Sequence, residues 1–185
     1  MDVDGTSVRP TVPSWFSERL PLSFDLGREI LSFHAMVGER FAAGGAPAVR
    51  SWLRSYPIDE NAVYALTRMF AEQRQYLDEW GVSTPDRLVI EEEHDSEAFR
   101  RRFYVHSQYG RRVNDGLSRV VAHRCAEAST SNVRVSVADK GFVVEMPLNR
   151  NVDVARVLEG IDPEEVRSEL RESLGETDLL KRYFR

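Results

Sequence analysis

Phe103-Tyr-Val-His-Ser-Gln-Tyr-Gly-Arg-Arg-Val-Asn-Asp-Gly-Leu-Ser-Arg-Val-Val-Ala-His-Arg124 reads as a strand, a glycine turn and a helix. Phe103 to His106 is aromatic and β-branched, which suits a half-buried pleated surface. Gly110 interrupts the strand and tolerates a positive φ. Beyond it, Val113, Leu117, Val120 and Val121 recur at helical spacing, predicting a helix with that face toward the core and Arg112, Arg119 and His123 opposite. Arg111 and Arg112 fall in its first turn. The backbone N–H groups there are unpaired and the helix dipole is positive, so acidic residues are the usual occupants. Two guanidinium groups at that place suit an anion. The competing reading is structural, with both arginines paired to the Glu91-Glu-Glu93 run.

Working outward, the strand has a partner on its N-terminal side. Pro85-Asp-Arg-Leu-Val-Ile-Glu91 predicts a strand, Glu93 to Glu97 a polar turn, and Arg100 to His106 the return. After the helix, Asn132–Val137 and Gly141–Met146 alternate around Asp139-Lys140-Gly141, a second hairpin. Upstream, Ser23 or Asp25 caps a helix with an apolar stripe of Leu26, Ile30, Phe33, Val37 and Phe41, closed by Gly44-Gly45. A short helix over 46–55 stops before Pro57. Asp59 caps a third, with Ala62, Leu66, Met69, Phe70 and Leu77 inward and Gly81 at its end. Downstream, Asn151 or Asp153 opens a short helix, Asp162-Pro163 opens another, and Glu176–Arg185 a third. The expected class is α+β, with helices flanking a small antiparallel sheet built from β-hairpins. Residues 1–12 read as a flexible lead-in and 13–185 as one domain. The last stretch, Asp178-Leu-Leu-Lys-Arg-Tyr-Phe-Arg185, stops inside an amphipathic pattern, so a docking tail or a piece of a longer polypeptide is expected.

The 185 residues are 42% hydrophobic, enough for a core. No run of apolar residues approaches membrane-spanning length. The N-terminus lacks the plan of a signal peptide, and the single Cys125 excludes an internal disulfide, so a cytoplasmic setting is expected. The net charge of −5 is unevenly spread: residues 100–134 hold eight arginines against Asp115 and Glu127. A basic island in an acidic chain can steer a polyanion to one place.

Phosphate loops, dinucleotide fingerprints and nucleophile elbows are missing from the sequence. The four histidines have no metal-ligand spacing with each other or with Cys125. A self-contained enzyme is therefore disfavoured. A nucleic-acid reading remains, because basic side chains neutralise phosphates and an exposed aromatic stacks on a base. Trp15-Phe16, between Pro13 and Pro21, lies in a loop where a ring either plugs a core or offers a flat face to a ligand.

Four blocks carry a resemblance: Trp15 with Leu20-Pro-Leu-Ser-Phe-Asp-Leu-Gly-Arg-Glu-Ile30; Tyr56-Pro-Ile-Asp-Glu-Asn-Ala62; His106-Ser-Gln-Tyr-Gly-Arg-Arg-Val-Asn114; and Glu176-Thr-Asp-Leu-Leu-Lys-Arg-Tyr-Phe-Arg185. Together, in this order, they resemble the large helicase-related (Lhr) family, in the DEAD/H-associated region that follows its two RecA-like motor domains and winged helix. The family comprises ATP-dependent 3′-to-5′ DNA helicases of superfamily 2 linked to DNA repair. The resemblance implies an accessory domain without the motor, binding single-stranded or tailed duplex DNA. Its expected partners are the motor and winged-helix domains of the same polypeptide. No cofactor is expected in this chain, whereas ATP and Mg²⁺ are implied for the full-length helicase. The chain alone is expected to be inactive as an ATPase. A tryptophan of this region stacks on a base in the family, and Trp15 matches it, although Ser17 stands where the family has glycine. Arg111, Arg112 and Arg119 are candidate phosphate contacts from charge and helix position alone. The rival expectation is a protein-interaction scaffold that docks on the motor without touching DNA.

Overall fold

The Ser23 side chain accepts a hydrogen bond from the Leu26 N–H (3.1 Å) and so starts helix α1 (Phe24–Leu53). This and all that follows describe a computed structural model, which covers residues 21–75 and 81–175. The lead-in, the Trp15 loop, the end of the third predicted helix and the 176–185 tail lie outside the described residues. Gly44 and Gly45 leave helical φ/ψ and break α1 at the expected place. Asp59 caps helix α2 (Glu60–Gln75) by accepting from the Ala62 N–H (2.7 Å). Val37, Phe41, Val49 and Leu53 of α1 pack with Val63 and Phe70 of α2 into one apolar core. Two expected core residues are exposed instead, Leu26 at 55% and Met69 at 50%. In α1 the inward row is Gly27, Leu31, Val37 and Phe41, so Leu26 lies off it.

The sheet contains β1 (Val89–Asp95), β2 (Arg100–His106), β3 (Arg134–Ala138) and β4 (Gly141–Pro147), all antiparallel in the order β1-β2-β4-β3. The two hairpins are thus joined through β2 and β4. Phe103 faces Val144, and Val105 faces Phe142. With Met146 they form the apolar face of the sheet, on which helix α3 (Arg111–Ser129) lays Val121 and Cys125. Burial pushes the Cys125 thiol up to about 11, which makes it inert packing rather than a nucleophile. β1 runs further than expected, through Glu93 to Asp95. Cross-strand pairing explains it: Glu93 sits opposite Arg102 and Asp95 opposite Arg100. Opposite charges at such positions offset the weak strand preference of acidic residues.

The buried row of α3 differs from the expected one. Asn114, Ser118, Val121 and Cys125 face inward with Val120, whereas Val113 is 40% exposed. The reason is a polar lock. Asn114 accepts from Ser107 Oγ (2.6 Å) and donates to the carbonyls of Ala138 (2.9 Å) and Asp139 (3.1 Å). The Gln108 and Gly110 amides donate to the carbonyls of Lys140 and Asp139. The chain between β2 and α3 is therefore bolted to the tip of the second hairpin, and a fully buried asparagine is satisfied in doing so.

Asp153 caps helix α4 (Val154–Glu159), and the Asp162 carboxylate receives the Glu164 N–H ahead of helix α5 (Val166–Gly175). Arg124 ties α3 to α5 through Glu169 (2.9 Å from Nε to Oε2) and to the Gly160 carbonyl. Among the described residues no helix is long and apolar enough to cross a membrane.

Candidate nucleic-acid interface

Gly110 takes φ 80° and ψ 158°, a conformation open essentially to glycine alone, and starts α3 without a side-chain cap. No acidic residue follows in the first turn. Arg111 and Arg112 are exposed there, and neither has an ion-pair partner among the described residues. The structure thus sets aside pairing with the Glu91-Glu-Glu93 run. Glu92 is taken by Arg101 and His94 and Glu93 by Arg102 and Tyr104, while Glu91 lies 3.5 Å from the His106 ring. The Tyr104 hydroxyl, followed by Arg102, holds the Glu93 carboxyl below its ordinary range.

The basic island is consumed in the same way. Arg100, Arg102 and Arg134 converge on Glu145, Arg101 meets Glu92, and Arg124 meets Glu169. Arg119 is bound to Asp115 one turn earlier (3.2 Å), so it is less available to a phosphate than its two companions. Of the eight arginines between positions 100 and 134, only Arg111 and Arg112 lack an acidic partner among the described residues. Charge counting alone could not separate them from the rest. Trp15 lies outside the described residues.

Beside Arg112 opens a groove of about 690 Å³ that sequence reasoning missed. Phe24, Arg28 and Leu31 of α1 form one wall, Tyr109, Arg112 and Val113 the next, and Leu170 of α5 a third. The Phe24 and Tyr109 rings are in tilted contact, centroids 5.9 Å apart. Two glycines hold these walls together. A Cβ on Gly27 would lie well under 3.0 Å from the Gln108 carbonyl oxygen, and one on Gly110 equally close to that of Leu22. Each segment therefore presses a carbonyl onto the other's glycine. Gln108 takes a left-handed φ of 58° within this clasp. The groove left no local signal because its walls come from four separate stretches of the chain, around Arg28, Pro85, Arg112 and Leu170. Among the described residues, no group of three or more His, Cys, Asp or Glu is placed to hold a metal ion.

The sequence profile of the DEAD/H-associated family matches residues 82–185, more than half of the chain. The chain belongs to the DEAD/H-associated family. The matched region of this family member contains the sheet, α3 and the unpaired arginines. ATP-dependent helicase Lhr-Core protein 2 of Thermococcus barophilus is 33% identical over 96% of the chain, and Lhr-Core of Saccharolobus solfataricus is 36% identical over 96%. The Lhr helicase/uracil glycosylase of Escherichia coli is 28% identical over 98%. The resemblance to Lhr proteins therefore holds over nearly the whole DEAD/H-associated chain. The chain spans about a fifth of the length of the two Lhr-Core relatives and 11% of the E. coli protein. In fold it resembles the Mycobacterium smegmatis helicase Lhr, solved with ssDNA and AMP-PNP. The TM-score is 0.65 at 22% identity, covering 92% of this chain and 21% of that one.

Proposed function

We propose that this chain is a single-stranded DNA-binding accessory domain of an Lhr-type ATP-dependent helicase, acting in DNA repair in the cytoplasm. The observation that carries the reading is the pair Arg111 and Arg112, left unpaired at a helix start while every other arginine of the basic stretch lies within 4 Å of a carboxylate. Free N–H groups and two guanidiniums at one place suit a phosphate. Support comes from the Lhr relatives and from the M. smegmatis Lhr, a protein of like fold solved bound to ssDNA. ATP and Mg²⁺ belong in this reading to the motor domains of the full-length protein.

Arg111→Ala with Arg112→Ala should weaken binding to single strands of any sequence about equally. It should flatten the salt dependence of affinity by roughly 0.7 unit per lost contact. Fluorescence anisotropy across a salt series measures both. A scaffold that docks on the motor would show no binding to titrate, and that result would reject the reading. For Trp15 the proposed role is base stacking. In a full-length helicase, Trp15→Ala should reduce unwinding more than ATP turnover while leaving the melting temperature in place. A melt shifted by several degrees with unwinding and turnover falling together would assign Trp15 to the core instead.

A further inference from the structure

We infer that the groove between the start of α1, Tyr109 and α3 is a nucleobase subsite, in which Phe24 and Tyr109 stack a base and Arg28 and Arg112 hold the adjoining phosphates. The inference rests on the nucleic-acid reading above and names stacking rings other than Trp15. Three observations carry it. The volume of about 690 Å³ lies in the range of small-ligand sites. Its lining is apolar or aromatic except for Ser32 and two arginines, with no acidic side chain, so an anion is favoured over a cation, and the Phe24 and Tyr109 rings add the flat faces on which a nucleobase stacks. Phe24, which lines the groove, is 45% exposed.

The geometry also supplies rigidity. The reciprocal contacts of Gly27 with Gln108 and of Gly110 with Leu22 fix the two rings relative to each other. A base entering a preformed site loses less on binding than one that must order its walls. Arg28 has no ion-pair partner among the described residues, as is true of Arg112. An aromatic face flanked by unpaired guanidiniums is the chemistry of sequence-tolerant single-strand binding.

The test uses the 185-residue chain with two probes of equal length, an oligo(dT) strand and its abasic counterpart, followed by anisotropy. Phe24→Ala should weaken oligo(dT) binding about tenfold and leave the abasic strand unchanged. Phe24→Trp should restore the loss. Arg28→Ala with Arg112→Ala should weaken both probes. Photocrosslinking of 5-iodouracil strands should map to peptides holding Phe24 or Tyr109, and thermal melts confirm that the variants fold. Unchanged oligo(dT) affinity in Phe24→Ala, with the arginine variant still weakened, overturns the subsite and leaves the DNA reading standing. That pattern would mean the groove is covered by protein, such as another domain of the same polypeptide. Absence of binding by the unaltered chain to either probe overturns both.

Discussion

Gly110→Ala should cost about 3–5 kcal/mol of stability, a large share of what a domain of this kind possesses. Two independent terms add. A side chain at φ 80° and ψ 158° is strained by about 1–3 kcal/mol, because that region of conformational space is essentially reserved for glycine. The new methyl also meets the Leu22 carbonyl at far less than van der Waals distance, and overpacking costs about 1–3 kcal/mol. The backbone atom it meets cannot swing aside as a flexible side chain would. Gly27→Ala carries only the second term, because Gly27 is helical, and should cost about 1–3 kcal/mol. Urea midpoints at constant slope would measure both. A Gly110→Ala variant within about 1 kcal/mol of the parent would show that α1 is not clasped to the α3 start.

Asn114→Ala should cost about 2–4 kcal/mol. It opens a cavity in a fully buried place and strips partners from the Ser107 hydroxyl and the Ala138 carbonyl. Asn114→Asp separates the hydrogen bonds from the shape. A carboxylate there would face two carbonyl oxygens in a dry site, so its folded-state pKa should rise above the unfolded value of about 3.9. A raised pKa means that stability is present below about pH 4 and lost as pH rises through the folded value. The Asn114→Asp variant should therefore be closer to the parent at about pH 4 than at about pH 7, a crossing that Asn114→Ala will not show. Chemical denaturation at the two pH values checks it.

Local chemistry made much of the fold legible. Ser23, Asp59 and Asp153 cap where their types predict, Gly44-Gly45 breaks α1, and Asp139-Lys140 turns the second hairpin. These signals act within a few residues and are decided before tertiary packing. Nothing local marks Asn114 as buried, because its amide is satisfied by carbonyls 24 and 25 positions away. The same limit applies to the site. Arg119 is the exception, because Asp115 one helical turn earlier marks it as paired within the local sequence. Which carboxylates claim Arg100, Arg102 and Arg134 depends on the β2–β4 register, and Phe24 meets Tyr109 only through the clasp.

The strand order has a consequence for how the chain folds. Each hairpin is sequence-local and closes within roughly 1–10 μs, but a two-stranded ribbon barely persists alone in water. The contacts that hold them lie in the central β2–β4 seam, whose strands are separated in the chain by the whole of α3 and β3. Closing that loop is entropically uphill until α3 can lie on the seam and reward it. Neither hairpin is then a stable stopping point. The seam and α3 should form in one event and release in one event, which keeps the unpaired strand edges of half-built sheets from accumulating.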